Sequence, residues 1–400
     1  MSPRLVFLLS TVTIDAMGIG LILPVMPDLI REVSGGTLAD AALWGGVLST
    51  LYALMQFLFA PLMGHLSDIH GRRPVLLITL AVMVVDYVVM ALAQTLWLLL
   101  AARALGGLAA ATQSTASAAL ADITPPQDRA RRFGLIGAAF GLGFVLGPLL
   151  GGLLGELGTR APFWAAAALA GANALLGLVV LPETVGAARP RFTLGRANPL
   201  GVFLSLSRLD GVRRGLVLFF LYQLAFATYP AVWAYFVAAR YGWDAGMTGL
   251  SLGLFGISMA LVQGVLIGPV LTRCGPSGTV LAGLLFSALS FAAILWAPTG
   301  PLALAIVPLA ALGALFGPAI QGVMSARLGP DRQGELQGAL GAAAAVSMVL
   351  APLVMTRVFA HFTAPGAEPR LAGAPFALAL GLVLLALVLF LRPERPRAVT

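Results

Sequence analysis

Apolar runs of about 20 residues recur along the whole chain, each long enough to cross ~30 Å of hydrocarbon as a helix. They fall near 5–27, 42–63, 74–93, 97–120, 133–155, 161–181, 215–238, 247–271, 278–297, 302–325, 336–360 and 373–391. Only 10% of the 400 residues are charged, against about 25% in a soluble domain, so the chain cannot coat itself against water. In lipid every backbone N–H and C=O must be satisfied within the protein, which leaves helices as the spanning form for runs of this length. The runs carry many Gly and Pro residues, which membrane helices tolerate better than soluble ones. The expected fold class is an all-α membrane protein with twelve transmembrane helices.

Arginine placement orients the helices. With the N-terminus inside, the inside segments hold 18 arginines and the outside loops hold four, Arg31, Arg160, Arg240 and Arg370. Both termini are therefore predicted to be cytoplasmic. The longest polar stretch, 182–214, holds Pro182, Pro190, Pro199 and six Arg, and separates six helices (1–181) from six more (215–400). Within it "NPLGVFLSLSRLDGVRRG" is mildly amphipathic and suits the membrane surface. The two halves repeat. Gly64 and Gly71, read as bracketing the loop after the second helix, recur as Gly268 and Gly275 at an offset of 204. Pro148 and Pro352 share that offset, and Asp128-Arg129 recurs at 203 as Asp331-Arg332. Several pairs at nearly one offset indicate duplicated halves. Two six-helix halves around a midplane site is the architecture of major facilitator transporters.

All 24 basic residues are Arg, so P-loop and Schiff-base lysine chemistry is excluded, and the net charge of +8 in so apolar a chain is no nucleic-acid signal. Cys274 is the only cysteine, which rules out an intrachain disulfide. His65, His70 and His361 do not share metal-ligand spacing, and His65 and His70 read as flanking a solvated turn. No metal site is expected. The first apolar run exceeds a signal-peptide core and lacks an A-x-A cleavage site, so it reads as a retained helix.

Two motifs carry mechanism. In "GHLSDIHGRRP" Gly64 and Gly71 permit close backbone approach, Asp68 supplies a carboxylate, Arg72 and Arg73 supply rigid donor forks, and Pro74 suits a first helical turn. In "FGLGFVLGPLLGGLLG" Gly143, Gly147, Gly151 and Gly155 recur every fourth residue, giving one helix face without side chains against which another helix can pack. Pro148 removes a backbone donor on the same helix, and Gly152 extends the pattern G-x-x-x-G-P-x-x-G-G.

Charges inside the runs are few. Asp15 in the first, Asp86 in the third and Arg103 in the fourth each cost about 2.5–3.5 kcal/mol at a helix centre, so they are expected to face the bundle interior. They form the candidate proton-coupling group, either as a static Arg–Asp pair or with at least one acid that titrates as its surroundings change. Tyr52, Gln56, Gln113, Tyr222, Gln223, Gln263, Gln321 and Ser347 are the uncharged polar residues available to a central site. All but Tyr52 and Ser347 are carried forward as substrate-binding candidates.

The chain resembles the tetracycline–proton antiporters of the major facilitator superfamily. The resemblance rests on "STVTIDAMGIGLILPVMP", "LYALMQFLFAPLMGHLSDIHGRRPVLL", "VDYVVMA", "ADITPPQDRARRFGL" and "PAIQGVMSARLGPDRQGELQGAL", and runs from about 4 to 360. It implies a latch at Gly64–Pro74 that steadies one gate conformation, and an antiporter motif around Pro148. It also implies a multi-pass protein of the bacterial cytoplasmic membrane, commonly a monomer, that exchanges a cytoplasmic drug for protons. For tetracyclines the cargo is a chelate with a divalent metal such as magnesium. No resident cofactor is implied. Three positions depart from the family pattern: Met259 stands where a helix-8 histidine is expected, Ser287 where a helix-9 acid is expected, and Gln113 in place of a glycine. Either Asp15 and Asp86 suffice for coupling, or cargo and stoichiometry differ. The alternative is an exporter of another antibiotic or small amphipathic compound, or a proton-linked metabolite transporter. An intramembrane enzyme would want an H-E-x-x-H constellation or a catalytic lysine, and the chain has neither.

Overall fold

The computed structural model describes residues 3–109, 112–183 and 211–392. The described chain is helical: α1 Pro3–Ile22, α2 Met26–Ser34, α3 Leu38–His70, α4 Arg72–Leu92, α5 Leu96–Ala109, α6 Thr112–Asp122, α7 Arg129–Gly155 and α8 Ala161–Val180. After the linker come α9 Arg213–Phe226, α10 Thr228–Tyr241, α11 Ala245–Leu261, α12 Ile267–Trp296, α13 Gly300–Leu312, α14 Phe316–Ser325, α15 Gln333–Thr363 and α16 Ala374–Leu391. Among the described residues eleven segments are long and apolar enough to cross a membrane. One of them, Ala245–Trp296, has 52 residues and turns at Gly275 (φ 66°, ψ 172°), which makes two crossings of it and twelve in all. Leu157, Val179, Trp97 and Trp296 are each at least 78% exposed, a surface that suits lipid and not water. Trp97 opens α5 and Trp296 ends α12, the positions where tryptophan anchors a helix at the bilayer interface.

Local chemistry sets the breaks. Pro24 lies in the three-residue turn between α1 and α2, where its missing N–H cannot continue a helix, and α2 ends on Gly35 at φ 65°. A capping box opens α3: Thr37 Oγ1 accepts from Asp40 N–H at 3.2 Å, and Asp40 Oδ2 accepts from Thr37 N–H at 2.9 Å.

The turn after α3 is shorter than the sequence indicates. Gly64 and both His65 and His70 belong to α3, and His65 is 5% exposed rather than solvated. Hydropathy ends where the bilayer ends, but nothing between Gly64 and His70 stops a helix. Gly71 stops it at φ 110°, and Arg72 starts the next. Its counterpart Gly275 also takes positive φ, so the reversal itself is duplicated at the offset of 204. Gly268, like Gly64, is helical.

Contacts group the described residues into two compact units. The first comprises α1 to α8 with 230–257 and 352–372; the second comprises 211–229, 258–351 and 373–392. In the first, α1 packs on α6, α7 and α8, and α4 on α3, α5 and α8. Thr11, Ser10 and Asn173 stitch α1 to α8: Asn173 Nδ2 donates to Thr11 Oγ1 at 2.9 Å, and Ser10 Oγ donates to Asn173 Oδ1 at 3.1 Å. In the second, α12 packs on α13, α14 and α16, and α9 on α16. Grouping by contact is a separate matter from the sequence division at 182–214; most of that segment, and of the amphipathic stretch, lies outside the described residues.

Candidate functional site

In the first unit the intramembrane charges gather. Arg103 Nη2 on α5 lies 2.6 Å from Asp86 Oδ2 on α4, with both residues buried. The guanidinium carbon sits 5.4 Å from the ring centroid of Tyr52 on α3, a cation–π position. Gly106, one turn after Arg103, leaves the space these groups occupy: a Cβ there would meet Asp86 Oδ2 at 2.7 Å and Tyr52 Cε2 at 3.3 Å. Asp15 on α1 is buried and within electrostatic range of the Tyr52 and Tyr87 hydroxyls. Tyr87 reaches α1 itself, its hydroxyl resting against Gly18. Four helices thus converge on two acids, one base and two phenols. Gln56 lies one turn beyond Tyr52, half-buried. Gln113 is on α6, and its side chain is outside the described set.

The glycine pattern of α7 proves two-faced. Gly143, Gly147 and Gly151 lie directly on the backbone of α1, where a Cβ would run into the carbonyls of Thr13, Met17 and Leu21 in turn. Gly152 turns to the other side, where a Cβ would meet Ala245 O at 2.7 Å and Gly249 Cα at 3.0 Å. From that side Gly249, Gly253 and Gly256 of α11 receive Pro148 O, Leu149 and Val145. One helix therefore holds α1 and the start of α11 at backbone distance, close packing of the kind that drives association in lipid.

At the N-terminal end of α4 the charged loop is a closed network. Arg72 pairs with Asp68 at 2.5 Å and with Asp122, at the end of α6, at 3.2 Å. Its Nη1 donates to Ser67 Oγ at 2.5 Å, while Arg73 Nη2 donates to the Leu178 carbonyl at 2.7 Å. The Arg72 backbone N–H donates to Glu183 Oε1 at 2.9 Å, and the Glu183 carboxylate fills the space beside Gly71. One loop so ties together the ends of α3, α4, α6 and α8. A family model described as Major Facilitator Superfamily matches residues 8–208 and 215–400. The chain belongs to that superfamily. This transporter is 42% identical over 356 residues to "Tetracycline resistance protein, class C" of Escherichia coli, with 89% of each chain covered. It is 39% identical over 363 residues to the class G protein of Vibrio anguillarum, covering 90% of this chain and 91% of that one. It is thus a member of the tetracycline resistance family of facilitators. The crystal structure of the nucleoside transporter NupG matches at TM-score 0.77 over 98% of this chain and 100% of that one, at 15% identity, a likeness of fold alone.

The polar candidates of the transporter's second unit are spread out. Tyr222 is buried and its hydroxyl donates to the Gly313 carbonyl at 2.7 Å, while its ring stacks on Phe316 at 4.2 Å between centroids. That carbonyl is reachable because helix geometry tightens to a 3₁₀ turn at Gly313–Leu315 between α13 and α14. Gln223 and Gln321 are half-buried, and Gln263 is exposed within a π-helical turn, Val262–Leu266. Ser347 is buried and bonds back to the Ala343 carbonyl at 2.9 Å. Met259 is half-buried on α11, and Ser287 is buried on α12 beside Gly313.

Glu183, Asp122, Ser67 and Tyr87 were not singled out from sequence. Glu183 carried a signal all the same: it is an acid just past the last apolar run of the first half, positioned to meet the inside loop of an antiparallel neighbour. A carboxylate at a helix N-terminus contributes about 0.3–1 kcal/mol. Glu183→Gln keeps an acceptor for the Arg72 N–H and is expected to lower thermal stability in detergent slightly. Glu183→Ala, which leaves that N–H unmet, is expected to lower it more. Differential scanning fluorimetry on the purified transporter reads both.

Proposed function

We propose that this transporter is a proton-driven antiporter of the bacterial cytoplasmic membrane, with both termini inside, that exports tetracycline as a chelate with a divalent metal. The observation that carries the reading is the buried Asp86–Arg103 pair with Asp15 close by, on helices otherwise almost free of charge. Such groups are expensive in a bilayer and are retained where charge or protons must be handled. The family relation supports the cargo, since the relatives carry tetracycline resistance in their names. Asp15, Asp86 and Arg103 are assigned to coupling; Gln56, Gln113, Tyr222, Gln223, Gln263 and Gln321 are the cargo-binding candidates. Cargo and proton bind antagonistically and the transporter alternates between two access states around a midplane site. It acts as a monomer, and the metal enters and leaves with the drug.

Ser287 and Met259, neutral where an acid and a histidine were expected, favour a second reading with another amphipathic drug, or a metabolite, as cargo. Everted vesicles with a pH-sensitive dye separate the two. Adding tetracycline and magnesium to energised vesicles is expected to release protons within the dye's response time. Absence of both a dye response and drug uptake for every tetracycline tried, with a response to a different amphipathic compound, moves the cargo to the second reading.

A further inference from the structure

We infer that the two buried acids have separate tasks: Asp86 is the fixed counterion of Arg103, and Asp15 is the carboxylate that takes up and releases the transported proton. This rests on the exchange reading above and assigns the proton within it.

Arg103 cannot lose its charge in a protein, and it is buried on α5. Such a cation needs an anion in contact, and Asp86 provides it at 2.6 Å with the Tyr52 ring on the guanidinium. Protonating Asp86 would leave Arg103 buried and uncompensated, the costly outcome when one member of a buried pair is neutralised. Asp86 therefore stays ionised while the pair is formed, and the pair as a whole is neutral.

Asp15 has no such cation. It is 7% exposed, and among the described residues it makes no ion pair or hydrogen bond. The groups around it can be named helix by helix. Tyr52 on α3 and Tyr87 on α4 are within electrostatic range and carry no charge at neutral pH. Asp86 on α4 and Arg103 on α5 are already paired with each other. On α1 itself the only other ionisable side chain is Arg4, eleven residues away, about 16 Å along the helix. On α7 the basic residues are Arg129, Arg131 and Arg132; Arg132 precedes Gly143, the glycine beside Thr13, by eleven residues, again about 16 Å. Asp122 ends α6 in the Arg72 network, and α8 has no charged residue. An ionised carboxylate in this setting bears its desolvation uncompensated, and a proton removes the charge. Asp15 is thus protonated while sequestered and ionised when the opposite side opens to water. The proton adds to a carboxylate oxygen from water on one side and leaves to water on the other; no electrons move and no other reactant is consumed.

Infrared difference spectroscopy of the purified full-length transporter, acid minus alkaline and without cargo, tests the assignment. The wild type is expected to show a carboxylic C=O band from a sequestered acid. Asp15→Asn is expected to abolish that band, and Asp86→Asn to retain it whatever it does to transport. A band unchanged in Asp15→Asn and lost in Asp86→Asn overturns the proposal, as does a wild type indistinguishable from Asp15→Asn. If Asp15→Asn does not fold, judged by gel filtration and circular dichroism, Asp15→Glu replaces it. A shifted band then supports the proposal and an unshifted one overturns it. Because no drug is present, an error in the cargo leaves the band in place and is seen only in the vesicle assay.

Discussion

Arg103→Ala is expected to leave a protein that is barely stable and does not transport. The substitution strands Asp86, 3% exposed, with no cation against it. Breaking a buried pair by removing one partner costs about 3–5 kcal/mol, because the remaining charge loses its compensation while its desolvation stays. A neutral replacement of both partners avoids that: Asp86→Asn with Arg103→Gln is expected to regain most of the stability and none of the proton-linked export. Arg103→Lys keeps the charge but not the planar group that meets both the Asp86 carboxylate and the Tyr52 face, so it is expected to fold and to transport slowly. Thermal unfolding in detergent alongside vesicle uptake reads the series. Equal stability of Arg103→Ala and the double variant would show that the pair is not what compensates Asp86.

The twelve crossings and the identity of the buried charges were legible because lipid imposes a simple test on each residue, apolar or costly. Asp15, Asp86 and Arg103 stand out in sequence for that reason. Their pairing was not legible. Nothing along the chain says whether Arg103 meets Asp15 or Asp86, since that depends on which faces α1, α4 and α5 turn inward. Helix ends were misread at α3, where hydropathy measures the bilayer and the helix runs on to Gly71. Gly143, Gly147 and Gly151 share the face that their spacing indicates, but nothing in the spacing marks Gly152 as packing on the other side, or singles out the matching glycines of α11 in a Gly-rich chain. Polar residues of the second half were the least informative. Tyr222 looked like a cavity residue, and a 3₁₀ turn far along the chain supplies the carbonyl that engages its hydroxyl.

Gly147→Leu is expected to yield no folded transporter, and Gly147→Ala a folded one with impaired coupling. At this position even a single methyl would come within 2.5 Å of the Met17 carbonyl oxygen and 2.8 Å of Gly20 Cα, backbone atoms that cannot rotate away. Gly20 is closed from the other direction, its Cβ position lying 2.6 Å from Pro148 Cδ. Relief requires α1 to move off α7, and overpacking of this kind typically costs about 1–3 kcal/mol for small additions. The functional effect follows from where Asp15 sits: it lies on α1 between Thr13 and Met17, whose carbonyls abut Gly143 and Gly147. Displacing that stretch moves the carboxylate relative to Tyr52 and Tyr87. Gly137 is the internal control, because it is on the same helix but a Cβ there meets nothing within 4 Å. Gly137→Ala is expected to be neutral or slightly stabilising, as Ala favours a helix over Gly by about 1 kcal/mol. If Gly147→Ala and Gly137→Ala behave alike in thermal unfolding and in drug-induced proton release, α7 is not holding Asp15 in place, and the depth of that acid is set by α4 and α8 instead.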